Sequence, residues 1–291
     1  MLSDNFFKYF WEERPILLKG LLSPEKLFPI TKGEFFKLCV SPILVRAYQR
    51  VENEDTGSAL STIIDDYGLI KPFYESALEF KQPITLLLNN VEKVSKKLLD
   101  LRDSFNVKRS WRYDDIVLTL SNVNSGIGFH AGHEDGFICQ MKGKRIWNVY
   151  EPSTLSPSYI RSVLGSKEEI VSQLKRPKED PILSVILEPG DVLYLPPLYG
   201  HEGITLEESI SASIAWRGIT PGFILTKLGV KYLNLSVVKD NRKDFFKIYS
   251  ERELAFAKIH EELIQVYHDR FNLDLKSKFI SEKLGKIIET F

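Results

Sequence analysis

The arrangement of apolar and polar positions changes texture twice along this chain. From Asn5 to about Phe36 the sequence is rich in aromatic and apolar residues. Pro15 ends a predicted first helix, and Ile16 to Lys19 then reads as a short strand closed by Gly20. Ser23-Pro-Glu-Lys and Thr31-Lys-Gly-Glu read as helix starts, each with a capping hydroxyl followed by a glutamate. Residues 58–105 carry helical spacing, through Ile63, Ile64 and Tyr67 and then Leu86, Leu87, Leu88, Val91, Val94, Leu98 and Leu99.

After Ser104 the runs become short and rich in Val, Ile, Leu and aromatics. Trp111 to Leu120, Gly136 to Val149, Ile182 to Leu187, Val192 to Leu195 and Ser209 to Trp216 are predicted strands. Turn residues separate them: Asn124-Ser-Gly, Lys142-Gly, Glu188-Pro-Gly-Asp and Pro196-Pro197. Residues 157–181 read as a charged insertion. Beyond Pro221-Gly222 the spacing is helical again, with Leu254, Ala257, Leu263, Ile264, Tyr267 and Phe271 near one face. The pattern predicts a β-rich α+β fold: a double-stranded β-helix (jelly roll) with flanking N-terminal helices and a C-terminal helical module. The expected division is a jelly-roll domain with its helical elaboration over 1–218 and a helical, dimerising module over 219–291.

Charge narrows the class of partner. Lys plus Arg and Asp plus Glu each number 39 in 291 residues, so a general nucleic-acid reader is disfavoured. No basic start followed by an apolar run opens the chain, and charges interrupt every hydrophobic segment before it reaches the length of a membrane span. Cys39 and Cys139 lie far apart with no CxxC spacing, which reads as two reduced thiols. The expectation is a cytoplasmic protein that binds neither membrane nor nucleic acid.

Histidine is scarce, with five in the chain. His260 and His268 sit among charges on the C-terminal helical stretch and read as solvated. The others fall in Gly126-Ile-Gly-Phe-His130-Ala-Gly-His133-Glu-Asp135 and Pro196-Pro-Leu-Tyr-Gly-His201. Neutral imidazole is a common ligand for iron, zinc, copper and nickel, and two histidines from different strands can converge on a barrel mouth. Arg145, on a predicted strand, carries a planar fork suited to a bidentate carboxylate.

These phrases together resemble a known family. Glu13-Arg-Pro-Ile-Leu-Leu-Lys-Gly20, Trp111-Arg-Tyr-Asp-Asp115, Gly126-x-Gly-x-His130, Gln140-x-x-Gly143-x-Arg145-x-Trp147 and Glu188-Pro-Gly-Asp-Val-Leu-Tyr-Leu-Pro-Pro-x-x-x-His201-Glu-Gly203 run in the order found in the iron- and 2-oxoglutarate-dependent cupin/JmjC oxygenases. Among these the chain looks most like the bacterial ribosomal-protein arginine hydroxylases, with a shorter C-terminal part. The resemblance implies a dioxygenase that hydroxylates a side chain of a protein or peptide, an arginine-like one among the options. It implies iron(II) held by His130 and His201, and 2-oxoglutarate held by Arg145.

One position departs from the family pattern. The carboxylate partner of the first histidine falls at Gly132, which has no side chain. Three readings stand open: a neighbour replaces it (Asp135 foremost, with His133 or Glu134 as substitutes), a halide fills the position as in iron halogenases, or the site binds metal without turnover. Trp147, Trp216 and Tyr194 read as barrel core, and Asp114, Asp115 and Glu202 as carboxylates available to a cationic substrate side chain.

Overall fold

A computed structural model describes residues 1–23, 30–51, 59–67, 83–107, 110–155 and 176–219, together with Leu27, Ile248 and Ser250. The chain divides into two compact units, Met1–Ser156 with Val171–Trp216, and Pro157–Ile170 with Arg217–Phe291. Nearly all described residues belong to the first unit. The helical module expected over 219–291, with His260 and His268, lies outside the described residues except for Ile219, Ile248 and Ser250, as does most of the insertion expected over 157–181.

Two short N-terminal helices are present, the second at the Thr31 capping signal; the helix start expected at Ser23 runs into residues 24–26, outside the described residues. Helix α1 (Asp4–Tyr9) starts at Ser3, whose hydroxyl accepts from the Phe6 N–H. Helix α2 (Lys32–Cys39) starts with a reciprocal capping box between Thr31 and Glu34. Between them, β1 (Ile16–Leu18) follows Pro15 as expected.

The stretch 58–105 corrects the reading from spacing. It holds β3 (Ala59–Tyr67) and β4 (Ile84–Leu88) before helix α3 (Lys96–Ser104), and an uncalled strand, β2 (Leu44–Val51), precedes them. For β4 the physical reason is burial on both sides. Every residue of Ile84-Thr-Leu-Leu-Leu88 is buried, so no alternation marks it, and a short continuous apolar run has no period that separates strand from helix.

The remaining strands are β5 (Tyr113–Ser121), β6 (Glu134–Lys142), β7 (Arg145–Tyr150), β8 (Leu183–Leu187), β9 (Val192–Leu195), β10 (Gly200–Thr205) and β11 (Ser209–Arg217). They build an eight-stranded sheet in the order β1-β9-β6-β11-β5-β4-β2-β3 and a three-stranded sheet in the order β10-β7-β8. The expected jelly roll is present, with one addition: His201 lies within its own strand, β10, and not in a loop beyond β9.

The large sheet separates two environments. One face packs Ile116, Leu118 and Leu120 of β5, Phe137 and Cys139 of β6, and Ile210, Ala212 and Ile214 of β11 against Phe6, Trp11, Phe35 and Leu98 from the helical side. The opposite face looks toward the small sheet. There Ile138, Leu193 and Leu195 meet Trp147, Val149 and Leu187. Because side chains alternate along a strand, the register fixes which face each polar residue joins.

The Glu188-Pro-Gly-Asp191 turn is a structural device. Asp191 N–H donates to the Glu188 carbonyl at 2.9 Å, and Gly190 takes φ +98°, a conformation that favours glycine. The Asp191 carboxylate accepts from the Glu188 N–H (3.0 Å), the Gly20 N–H (2.9 Å) and Lys19 Nζ (3.0 Å), tying the turn to the end of β1. Burial alone would raise its pKa, but these donors outweigh it and hold the carboxyl below the ordinary aspartate value. A depressed folded-state pKa contributes stability at pH values above the unfolded pKa, and that contribution disappears as pH falls through the folded value. D191N is expected to lower unfolding free energy at neutral pH by about 1–3 kcal/mol. Denaturant melts of wild type and variant should converge as the pH is taken down through the acidic range.

Candidate metal and co-substrate site

The sequence places two histidines seventy-odd residues apart, and the backbone brings them together. The segment around His130 lies antiparallel to β10: His130 N–H donates to the His201 carbonyl at 3.0 Å, and His201 N–H donates to the His130 carbonyl at 2.7 Å. The two rings follow, with centroids 4.2 Å apart.

Each ring has its tautomer set by the main chain. Nδ1 of His130 lies 3.0 Å from the Gly128 carbonyl, and Nδ1 of His201 lies 2.8 Å from the Tyr199 carbonyl. A carbonyl oxygen can only accept, so both Nδ1 atoms carry the hydrogen and both Nε2 atoms keep a lone pair. This is the outer-shell arrangement that orients imidazole toward a metal. Burial, and then the adjacent His130 ring, press the His201 pKa down to about 3, so its imidazole is neutral.

Arg145 occupies the same face at the other end of the β7–β10 pair. The register sets His201 opposite Val149, Gly203 opposite Trp147 and Thr205 opposite Arg145. The guanidinium is buried and stacks 4.9 Å from the Trp147 ring; one nitrogen donates to the Gly203 carbonyl at 3.2 Å and another reaches Ser211 Oγ at 3.5 Å. No carboxylate among the described residues pairs with it, and its Nε has no acceptor. Burial lowers its pKa to about 10, which still leaves it charged at neutral pH. A buried cation without a counter-charge is costly, so its environment calls for an anion.

The surroundings of Arg145 are polar in a way that the histidine-centred reading missed. Ser209 and Ser211 of β11 and Thr119 of β5 share the interior face, because their neighbours Ile210, Ala212 and Leu118 pack on the other. Thr205 Oγ1, Ser209 Oγ and Gln140 Oε1 are buried without hydrogen-bond partners among the described residues. Unsatisfied buried polar atoms beside an unpaired guanidinium fit a bound carboxylate or ordered water. The signal was present in Ser209-Ile-Ser-Ala-Ser-Ile-Ala-Trp216, whose strict alternation marks one polar and one apolar face. Close approach matters too: a methyl on Gly203 would press into the Trp147 ring at 2.7 Å.

Asp135, the foremost candidate for the third metal ligand, is placed elsewhere, and that expectation is corrected. Its carboxylate is fully buried and accepts from Arg112 (2.5 Å) and from Tyr194 Oη (2.5 Å). Arg112, also fully buried, bridges on to Glu12 at 2.8 Å, and Tyr194 Oη accepts from the Glu12 N–H at 2.7 Å. On β6, Asp135 shares the face of Phe137 and Cys139, which pack against the helices and not toward the histidines. Glu202 likewise leaves the role suggested for it. It alternates with His201 and Gly203, and its carboxylate pairs with Arg176 at 2.5 Å. Asp115 accepts from Asn89 at 2.9 Å, which in turn accepts from Arg46 at 2.6 Å. Trp147, Trp216 and Tyr194 are buried packing residues, as expected.

Glu134 and Gly132 are the remaining pair. A side chain built on Gly132 would collide with Oε2 of Glu134, whose other oxygen lies 3.2 Å from His133 Nδ1. Among the described residues no three His, Cys, Asp or Glu side chains already converge as a complete metal-binding group.

The structural role of Asp135 is testable through its partner. R112M would leave that carboxylate buried without its cation, and is expected to lower unfolding free energy by about 3 kcal/mol or more. Equilibrium denaturation would read this, and a loss below half a kcal/mol or so would argue against the ion pair as a core element.

Comparison with known proteins agrees with this geometry. Residues 100–221 match the JmjC domain family. The chain is 31% identical over 220 residues to the ribosomal protein uL16 3-hydroxylase of Escherichia coli, covering 73% of this chain and 52% of that protein. It is 23% identical over 237 residues to a probable ribosomal oxygenase of Haemophilus influenzae, covering 76% of this chain and 53% of the relative. The chain thus spans about half the length of these curated relatives. Among solved structures, E. coli YcfD superposes with a TM-score of 0.65 at 22% identity, covering 99% of this chain and 72% of the other. The YcfD ribosomal oxygenase in complex with cobalt and 2-oxoglutarate gives 0.62 at 22% identity, covering 98% and 70%. Residues 100–221 of this chain match the JmjC domain family, the fold is like that of the superposed structures, and the chain is similar to the ribosomal oxygenases over most of its own length.

Proposed function

We propose that this chain is an iron(II)- and 2-oxoglutarate-dependent oxygenase that hydroxylates a side chain of a ribosomal protein. The carrying observation is Arg145: a buried guanidinium with no carboxylate partner among the described residues, on the same face and strand pair as His201. Proteins that the chain resembles include a ribosomal protein hydroxylase and a probable ribosomal oxygenase, and a ribosomal oxygenase of similar fold holds cobalt and 2-oxoglutarate. A substrate of that kind agrees with a cytoplasmic location, and among the described residues no helix is long and apolar enough to cross a membrane.

In this reading His130 and His201 hold the metal through their Nε2 atoms, and Arg145 binds the distal carboxylate of 2-oxoglutarate. Ser211 and Thr205 complete the carboxylate's hydrogen bonds. Bound iron(II) supplies the oxidising chemistry, using dioxygen and the decarboxylation of 2-oxoglutarate to succinate. The protein's own part is placement and exclusion of water. The Gly128 and Tyr199 carbonyls hold the imidazoles in one tautomer, and Ile138, Trp147, Val149, Leu193 and Leu195 wall the barrel with apolar surface. An arginine-like side chain is among the substrates that this reading allows. A second reading, a metal-binding cupin without turnover or with a halide at the metal, rests on Gly132 and its lack of a ligating side chain.

Anaerobic addition of iron(II) and 2-oxoglutarate is expected to give the weak visible charge-transfer band of the chelate. Succinate should then form with ribosomal protein and oxygen. R145Q, which keeps bulk but removes the charged fork, is expected to weaken 2-oxoglutarate binding by roughly 10- to 100-fold, the worth of charge-assisted hydrogen bonds. Equal titration curves for wild type and R145Q would remove Arg145 from this role.

A further inference from the structure

We infer that Glu134 supplies the anionic ligand of the metal centre, reaching back over Gly132. This rests on the reading of His130 and His201 as metal ligands. Two neutral imidazoles give a divalent cation no charge compensation, and a two-histidine, one-carboxylate face is the donor set that suits iron(II) with open positions. The carboxylate has to come from a nearby side chain, and the neighbourhood offers few.

Asp135 is committed to Arg112 and Tyr194 on the far face of the sheet. Glu202 is committed to Arg176. Glu134 opens β6 and alternates with Asp135, so it shares the face of Gly136 and Ile138, the face that looks into the barrel. Its Oε2 already occupies the space that any side chain at residue 132 would fill. Gly132 is therefore required for this placement: a β-carbon there would expel the carboxylate. A short ligand at residue 132 is exchanged for a longer one two residues on, folded back along the chain.

In the structure the same carboxylate also meets His133 Nδ1. To ligate, the carboxylate has to turn from His133 toward the Nε2 atoms, and the partial exposure of His133 and Glu134 leaves both side chains room to change rotamer. His133 acts in this arrangement as a positioning residue, holding the carboxylate against Gly132 when no metal is bound.

The test is anaerobic cobalt(II) titration of the full chain, read by ligand-field absorption and by calorimetry. Wild type is expected to bind one cobalt(II) ion per chain. E134Q, close in shape but uncharged, is expected to weaken binding by about tenfold or more and to change the absorption band. G132A should weaken it as well by crowding the carboxylate out. The double variant G132D/E134Q should recover binding, because it returns a carboxylate to the space that Glu134 fills. Thermal melts of the metal-free proteins check that E134Q and G132D/E134Q are folded. Cobalt(II) binding that H130A and H201A abolish but E134Q leaves unchanged in affinity and spectrum would overturn this inference alone. Binding that depends on chloride and not on residue 134 would overturn it too, in favour of a halide ligand. Failure of wild type to bind cobalt(II) would overturn both this inference and the metal centre itself.

Discussion

The site depends on one backbone register, the antiparallel pairing of β10 with β7 on one side and with the segment around His130 on the other. Because side chains alternate strictly along β10, a slip of one residue would send His201, Gly203 and Thr205 outward and bring Glu202 inward. The register is held by the mutual hydrogen bonds of His130 and His201 and by close packing that only glycine permits at Gly203. Imidazole pair, guanidinium and apolar wall all inherit their positions from it.

The large sheet then acts as a partition between two kinds of burial. On its helical face the polar groups are matched: Arg112 stands between Glu12 and Asp135, and Tyr194 closes the network. On its barrel face Arg145 is buried with no carboxylate partner, beside hydroxyl and amide oxygens that also lack partners. Two buried arginines of the same chain thus have opposite meanings. One is neutralised internally and stabilises the packing of the N-terminal segment. The other has no counter-charge among the described residues, and the fold bears the cost of its desolvation.

The exchange of position between Gly132 and Glu134 follows the same logic of complementary space. A glycine contributes no donor, but it creates room, and here the room is filled by a carboxylate from the next residue on that face. Removing a ligand side chain and keeping a ligand are compatible when the neighbour is one methylene longer. Asp135, nearer in chemistry to the expected ligand, is excluded by parity alone, since a strand cannot turn one residue over without turning all of them.

Much of this was legible in the residues themselves. The Thr31 hydroxyl marked the start of α2, Glu188-Pro-Gly-Asp191 marked its turn, and His130, Arg145 and His201 stood out by type and order. Local chemistry decides such features, so the chain alone carries them. The strands Leu44–Val51, Ala59–Tyr67 and Ile84–Leu88 escaped; in Ile84–Leu88 burial on both sides and short length erase the periodic signal. Which of Glu134 and Asp135 faces the barrel was also beyond the chain alone: both faces of β6 are largely buried, so no contrast of apolar and polar neighbours tells them apart. Only the packing of β6 between the helices and the small sheet decided that orientation, because the face on which a side chain emerges has meaning only once something occupies each side.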